Sequence, residues 1–351
     1  MAELARKIER TAKKFLWSAI GLVSGRKSPL SLPMDFTSAR SVLVIRPDRL
    51  GDVVLSTPIY ESIKKTFPHL RVSALVDRAN VSILADNPYI DEIISFDSEN
   101  PGAVLGKLRR NRFDVVFTLN KKFSATASLI ALASKTKYRV GYAHDKTDWL
   151  YDVRLSADTP PRHESLNNLE LLRHVGITQI VEPPRLYFNE NETQKIETVL
   201  GESRQHPDRP LVLIKPGTRV AEWGWKLDNF RKVAEQLSNS QKAEVLFICG
   251  PGEEAIIDSL SGGTQIKIGR LPILSIKELA LTIKKSDLLF CNHTGIMHLA
   301  SAVETPVVAI FKHGETARWG PVHTRHALLE ERDPDILLPE TVLENIFLLL
   351  G

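Results

Sequence analysis

SVLVIRPDRLGDVVLSTP, residues 41–58, decides how the chain is read. The run SVLVI has no polar alternation, the signature of a strand buried on both faces of a parallel sheet. A tight polar loop follows, RPDRLGD (46–52), and a second apolar stretch then opens a helix. Charge concentrated where a buried strand turns into a helix suits a binding loop. In open α/β sheets, ligands sit outside the carboxyl ends of the strands.

Working outward, β-branched runs alternate with amphipathic stretches: PIYESIKKTF, RVSALV, the NVSILADNP turn, EIISF, AVLGKLRRNR and DVVFTL. Residues 124–142, SATASLIALASKTKYRVGY, add a small-residue helix and another strand. Strand and helix in repeated alternation imply a parallel sheet covered by helices on both faces. SLNNLELLRHVGI (165–177) predicts a helix with Leu166, Leu169, Leu172 and Val175 on one face and Gly176 as its stop. VEPPRLYF, with its proline pair, resembles a linker, and a second alternating series starts at PLVLIKPG and runs through PVVAIF. The boundary is placed near 178–190. The expected organisation is a basic amphipathic extension (1–40), then two Rossmann-like, doubly wound parallel-sheet domains (41–180 and 181–351) facing a cleft.

Composition agrees with a globular α/β chain: 43% of the 351 residues are hydrophobic and 25% charged. The two cysteines, Cys249 and Cys291, each end an apolar run, and buried, reduced thiols are expected. No run approaches the roughly 18 apolar residues of a membrane span. The net charge of +4 is concentrated at the start, where Arg6, Lys7, Arg10, Lys13, Lys14, Arg26 and Lys27 face only Glu3 and Glu9. Interleaved Leu4, Ile8, Phe15, Trp17 and Ile20 would suit a helix lying on an anionic membrane surface through residues 1–24. A solvated N-terminal helix is the alternative. The rest is near neutral, and no nucleic-acid partner is expected.

Four loops carry the candidate chemistry: 46–52, KPGTRVAEWGWK (215–226), CGPGEE (249–254) and CNHTG (291–295). In the first, Gly51 either supplies a special backbone conformation or lets a ligand approach closely. Asp52 is either a helix-start carboxylate favoured by the dipole or a general base, with Arg46 and Arg49 holding an anionic substrate. No G-x-G-x-x-G follows the strand, so a dinucleotide fingerprint is absent. Lys215, Gly217, Thr218 and Arg219 present a glycine, a hydroxyl and basic side chains suited to phosphate, though not as a Walker loop. Gly250 permits close approach in the third loop. Trp223 and Trp225 are packing residues or a platform for a ring. In CNHTGIMH, His293 and Thr294 end a strand, Gly295 breaks the chain, and His298 falls in the next helix, whose start can hold an anion. A metal held by His293 and His298 is not expected, because their spacing puts them on different helix faces. The Asp333–Asp335 pair does not resemble a metal-dependent sugar-transfer motif.

Taken in order, these loops resemble the lipopolysaccharide heptosyltransferases, glycosyltransferase family 9, over about residues 41–325. The resemblance rests on VLVIRPDRLGDVVLSTP, YRVGY (138–142), HESLNNLELLRHVGI (163–177), KPGTRVAEWGWKLDNF, FICGPGEE, NHTGIMHLASAVETPVVAIF and ETARWGP (315–321). It implies a GT-B fold and an inverting, metal-independent transferase without a cofactor. The sugar, a heptose or a relative, would pass from a nucleotide-sugar donor, ADP-linked by resemblance, to a lipopolysaccharide core or other lipid-linked glycan acceptor. It implies Asp52 as the base and Arg46, Arg49 and Gly51 at the acceptor. Donor contacts would come from Gly217, Thr218, Arg219, Lys226, Gly250, His293, Thr294, Gly295 and His298. The expected place of work is the cytoplasmic face of the membrane, as a peripheral protein. Two departures stand out: His293 replaces the family's aspartate before Thr-Gly, and Trp223 falls where a lysine is usual, leaving Lys226 to present an amine from the same loop. A non-catalytic binding or assembly protein, or an epimerase of the same fold, are the alternatives.

Overall fold

The alternating runs build two separate parallel sheets. The computed structural model describes residues 17, 19–21, 30, 32–144, 147–157, 162–261, 268–312, 314–331 and 336–351. The chain forms two units: the first runs to Asp48 and adds Ser56–Val81 and Pro88–Glu182, and the second holds Arg49–Leu55, Ser82–Asn87 and Pro183–Gly351.

In the first unit six strands, β1 (Ser41–Arg46), β2 (Arg71–Asp77), β3 (Glu92–Phe96), β4 (Val115–Thr118), β5 (Tyr138–Ala143) and β6 (Val153–Ser156), lie in the order β3-β2-β1-β4-β5-β6. Every adjacent pair is parallel. Central β1 and β4 are buried almost end to end, which is why their sequences are continuous Val, Leu, Ile and Phe. The chain winds outward from β1 to β3, returns, and winds the other way from β4. The sheet therefore has its topological switch point between β1 and β4.

The second unit repeats the plan with β7 (Leu211–Lys215), β8 (Glu244–Phe247), β9 (Gly269–Arg270), β10 (Leu288–Asn292), β11 (Val307–Phe311) and β12 (His326–Glu330), ordered β12-β11-β10-β7-β8-β9. Its switch point lies between β7 and β10. The helix Leu227–Ser240 presents Phe230, Val233, Ala234 and Leu237 to this sheet, and the final helix Pro339–Leu350 adds Val342, Leu343, Ile346 and Leu349 to the same core. Trp225, Phe230 and Phe290 pack edge-on and tilted with centroids 4.8–6.1 Å apart.

NVSILADNP contains a short helix, Val81–Leu84. Ser82–Asn87 is counted with the second unit, where the buried Lys277 ammonium pairs with Asp86 and lies 3.1 Å from Glu192. The helix Glu164–His174 does not bury a leucine stripe through Leu166, which is exposed; Glu164, Ser165, Asn167 and Asn168 are buried beside Leu169, Leu171 and Leu172. Its N-terminal turn is thus a buried polar cluster. Gly176 does end the element, at φ +94°, and a β-carbon there would also strike Pro33. Cys291 is buried, with its thiol pushed up to about 12 by burial, whereas Cys249 is only partly covered. Burial and the neighbouring Glu254 and Glu253 raise the Cys249 thiol as well, so both sulfurs are held in the unreactive thiol form.

Among the described residues no helix is long and apolar enough to cross a membrane. The basic stretch 1–24 lies outside the described residues except for Trp17 and 19–21. Trp17 is buried and packs against Phe123 and Trp149 of the first unit, with centroids at 5.7 and 6.4 Å. Its indole is therefore committed to protein rather than to lipid.

Candidate active site

Parallel strands put all their carboxyl ends on one edge of a sheet, and at a switch point the two outgoing loops diverge and leave a crevice. In the first unit these are the loops after β1 (46–52) and after β4, which begins at Leu119. Arg46, the last residue of β1, is buried. Its Nη1 donates to the Leu119 carbonyl at 2.8 Å, its Nη2 lies 3.2 Å from Glu164 Oε1, and its Nε lies 3.2 Å from Asp48 Oδ2. Asn120 donates to the Asp48 carboxylate at 2.7 Å, and Asn80 donates to the Asp48 carbonyl at 2.8 Å. The guanidinium expected at an acidic acceptor is thus enclosed in a network that braces the loop. Asp48 is the hinge of that brace.

The second half of the RPDRLGD loop is part of the second unit. Arg49 is exposed and caps, without a side-chain bond, the helix Leu50–Val54, whose first turn carries the half-buried Asp52. Gly51 has no left-handed backbone; it is a glycine because of crowding. A β-carbon at Gly51 would stand 2.5 Å from His298 Cδ2, and one at Gly295 would lie 3.4 Å from the Gly51 nitrogen. Neither a special backbone conformation nor direct ligand approach explains Gly51.

In the second unit the loops after β7, β8 and β10, three adjacent strands, converge on one edge. Asn292, fully buried at the end of β10, ties two parts of the β7 loop together: it donates to the Pro216 carbonyl at 2.7 Å and accepts from the Trp225 N–H at 3.0 Å. Lys215, at the end of β7, donates to both Glu253 carboxylate oxygens at 2.8 Å and to the Gly217 carbonyl at 2.8 Å. Gly250 N–H donates to Glu253 Oε2 at 2.8 Å, and a β-carbon on Gly217 would stand 2.4 Å from Glu253 Oε1. The space above Gly217 and the Gly250 N–H are therefore taken by Glu253, the counter-ion of a buried ammonium. Neither Asn292 nor the Lys215–Glu253 clamp was singled out from sequence, although Asn292 stands within the CNHTG motif.

Around this clamp, Thr218 is half-buried and Arg219 and Lys226 are exposed. Arg219 makes no side-chain hydrogen bond, ion pair or ring contact with another described residue. Trp225 is buried in the core while Trp223 is 44% exposed, so only Trp223 is a candidate platform for a ring. The helix Gly295–Ala302 starts without a side-chain cap, and the Thr294 hydroxyl oxygen is buried with no hydrogen-bond partner among the described residues. Uncapped N–H groups beside an unsatisfied hydroxyl form a positive pole suited to an anion. His293 stacks on Phe311 with centroids 4.1 Å apart. Burial lowers its pKa below the ordinary imidazole value, against the pull of Glu315, so the ring is neutral at pH 7 and offers one donor and one acceptor. Among the described residues no three His, Cys, Asp or Glu side chains gather in a metal-holding group. Asp333 and Asp335 lie outside the described residues.

Residues 102–335 match the family described as glycosyltransferase family 9 (heptosyltransferase). Lipopolysaccharide heptosyltransferase 3 of Escherichia coli K12 is 24% identical over 287 residues, covering 77% of this chain and 82% of its own length. The crystal structure of a family 9 glycosyl transferase from Veillonella parvula superposes with a TM-score of 0.82 at 20% identity, covering 91% of this chain and 99% of that one. The E. coli ADP-heptose lipopolysaccharide heptosyltransferase II superposes with a TM-score of 0.75 at 18% identity, over 88% of this chain and 98% of that one. The two parallel sheets are thus those of the GT-B fold.

Proposed function

Because the chain belongs to glycosyltransferase family 9, the heptosyltransferases, we propose that it moves a heptose or related sugar from an ADP-linked donor to a lipopolysaccharide core or similar lipid-linked glycan. The observation that carries this reading is that the charged loops of both units occupy switch-point edges, where α/β sheets bind ligands. The E. coli relative heptosyltransferase II is named for ADP-heptose.

In this reading the transfer is a single inverting displacement without a metal. The Asp52 carboxylate accepts the proton of the acceptor hydroxyl as its oxygen bonds to C1 and the C1–O bond to the diphosphate breaks. Charge on the departing diphosphate is taken by Arg219, Lys226, the Thr218 hydroxyl and the N–H groups following Thr294. Glu253, fixed by Lys215 and the Gly250 N–H, shapes the loop under the donor. His293, neutral, meets sugar hydroxyls as donor and acceptor alike. Acceptor binding falls to the first unit and to exposed Arg49, with Arg46 acting through the loop it braces. Residues 1–24 supply peripheral attachment to the anionic cytoplasmic face of the membrane.

The test is to incubate the protein with ADP-heptose and a heptose-deficient core lipopolysaccharide, with and without EDTA. Mass spectrometry is expected to find one added heptose, NMR an inverted anomeric centre, and EDTA no loss of rate. An epimerised sugar product from the donor alone would favour the epimerase, and no binding of ADP-, UDP- or GDP-sugars would favour the non-catalytic assembly protein. Replacing Arg219 with alanine removes one exposed charge-assisted contact, worth about 1.5–3 kcal/mol. The donor Kd by calorimetry is expected to rise at least about tenfold, with a smaller difference at high salt.

A further inference from the structure

The surroundings of Gly51 carry an inference that rests on the reading of Asp52 as the base. Asp52 follows a glycine whose surface is covered by the edge of an imidazole. His298 Cδ2 and Nε2 lie 2.5 and 3.2 Å from the place a Gly51 β-carbon would take. The ring is 3% exposed, and on another side it meets Trp319 edge-on at 6.2 Å. Trp319 is in turn covered by the Arg318 guanidinium at 4.7 Å. Gly295, at the start of the same helix as His298, would place a β-carbon 3.4 Å from the Leu50 β-carbon. The helices Leu50–Val54 and Gly295–Ala302 therefore meet backbone to backbone through two glycines, with His298 as the spacer. All these residues belong to the second unit.

We infer that His298 is a positioning residue, which holds the Asp52 turn at a set distance from the helix start at Thr294 and Gly295, rather than a ligand of the donor. An imidazole wedged between a peptide backbone and an indole has almost no surface left for a sugar nucleotide. Its edge instead fixes the residue next to the base. Misplacement of a reacting group by about 1 Å costs on the order of 10²-fold in rate, so loss of the spacer is read in turnover and not in donor affinity.

The experiment compares His298→Ala, His298→Gln, Gly51→Ala and the double variant Gly51→Ala/His298→Ala, with donor-site affinity measured calorimetrically using ADP. His298→Ala is expected to lose roughly 10- to 100-fold in kcat with an unchanged Kd for ADP and an unchanged KM for the donor. His298→Gln, which keeps bulk against Gly51, retains more turnover than His298→Ala. Gly51→Ala forces a methyl into the ring and loses turnover alone, whereas the double variant, with the ring removed, recovers part of it; such coupling is the mark of direct contact. A Kd for ADP that rises in step with the loss of kcat/KM would make His298 a donor ligand and overturn the proposal, as would strict additivity of Gly51→Ala and His298→Ala. An active Asp52→Asn enzyme overturns the base assignment and with it the purpose given to His298. An inactive Asp52→Asn enzyme combined with weakened ADP binding in His298→Ala overturns the positioning role alone.

Discussion

Replacing Asp52 with asparagine is expected to lower kcat by about 10²–10⁴-fold, the usual contribution of a general base, while leaving the protein folded and able to bind ADP. The carboxylate is half-buried in the first turn of Leu50–Val54. There the helix dipole favours its charge by only about 0.3–1 kcal/mol, so the amide costs little stability. Asparagine keeps the shape of the side chain and removes its negative charge, and with it the capacity to accept the proton. The measurement is product formation at saturating donor and acceptor, with circular dichroism and calorimetry as controls. Turnover near that of the parent would remove Asp52 as the base, and a collapse of the fold would assign it a structural role.

Glu164→Ala is expected to give the largest loss of stability, about 3–5 kcal/mol, the cost of leaving one partner of a buried ion pair uncompensated. Both side chains of the Arg46–Glu164 pair are 3% exposed. Asp48 remains as a second counter-ion at 3.2 Å, but it is itself held by Asn120 and cannot fill the space Glu164 leaves. For a unit of this size the unfolding temperature should fall by roughly 10 °C, read as the shift of the first unit's transition in a calorimetric scan. Glu164→Gln should lose less, because its amide oxygen can still accept from the guanidinium. An unshifted transition in Glu164→Ala would show that Asp48 suffices as the counter-ion of Arg46.

Much of this was legible in the residues themselves. The central strands were readable because burial on both faces leaves no polar alternation: SVLVI, DVVFTL, PLVLIK and DLLFCN became β1, β4, β7 and β10. The outer strands β6, β9 and β12 were not, because VRLS, GR and HALLE are short or half-exposed and borrow their pairing from a neighbour already in place. The loops that follow the readable strands were found for the same reason, since the edge of an α/β sheet is located once its strands are.

Sequence alone therefore settled the fold class, the family and the positions of the loops at the strand ends, because periodicity and local motifs are properties of neighbours along the chain. Which charges in those loops are available was decided by tertiary structure. Arg46 and Asp48 are consumed by Glu164 and Asn120, more than seventy residues away, and Lys215 by Glu253. Gly51 is small because His298, nearly two hundred and fifty residues further on, occupies the space beside it. A buried charge must find its counter-ion and a close contact must find its gap wherever the chain brings them, and no spacing in RPDRLGD records that.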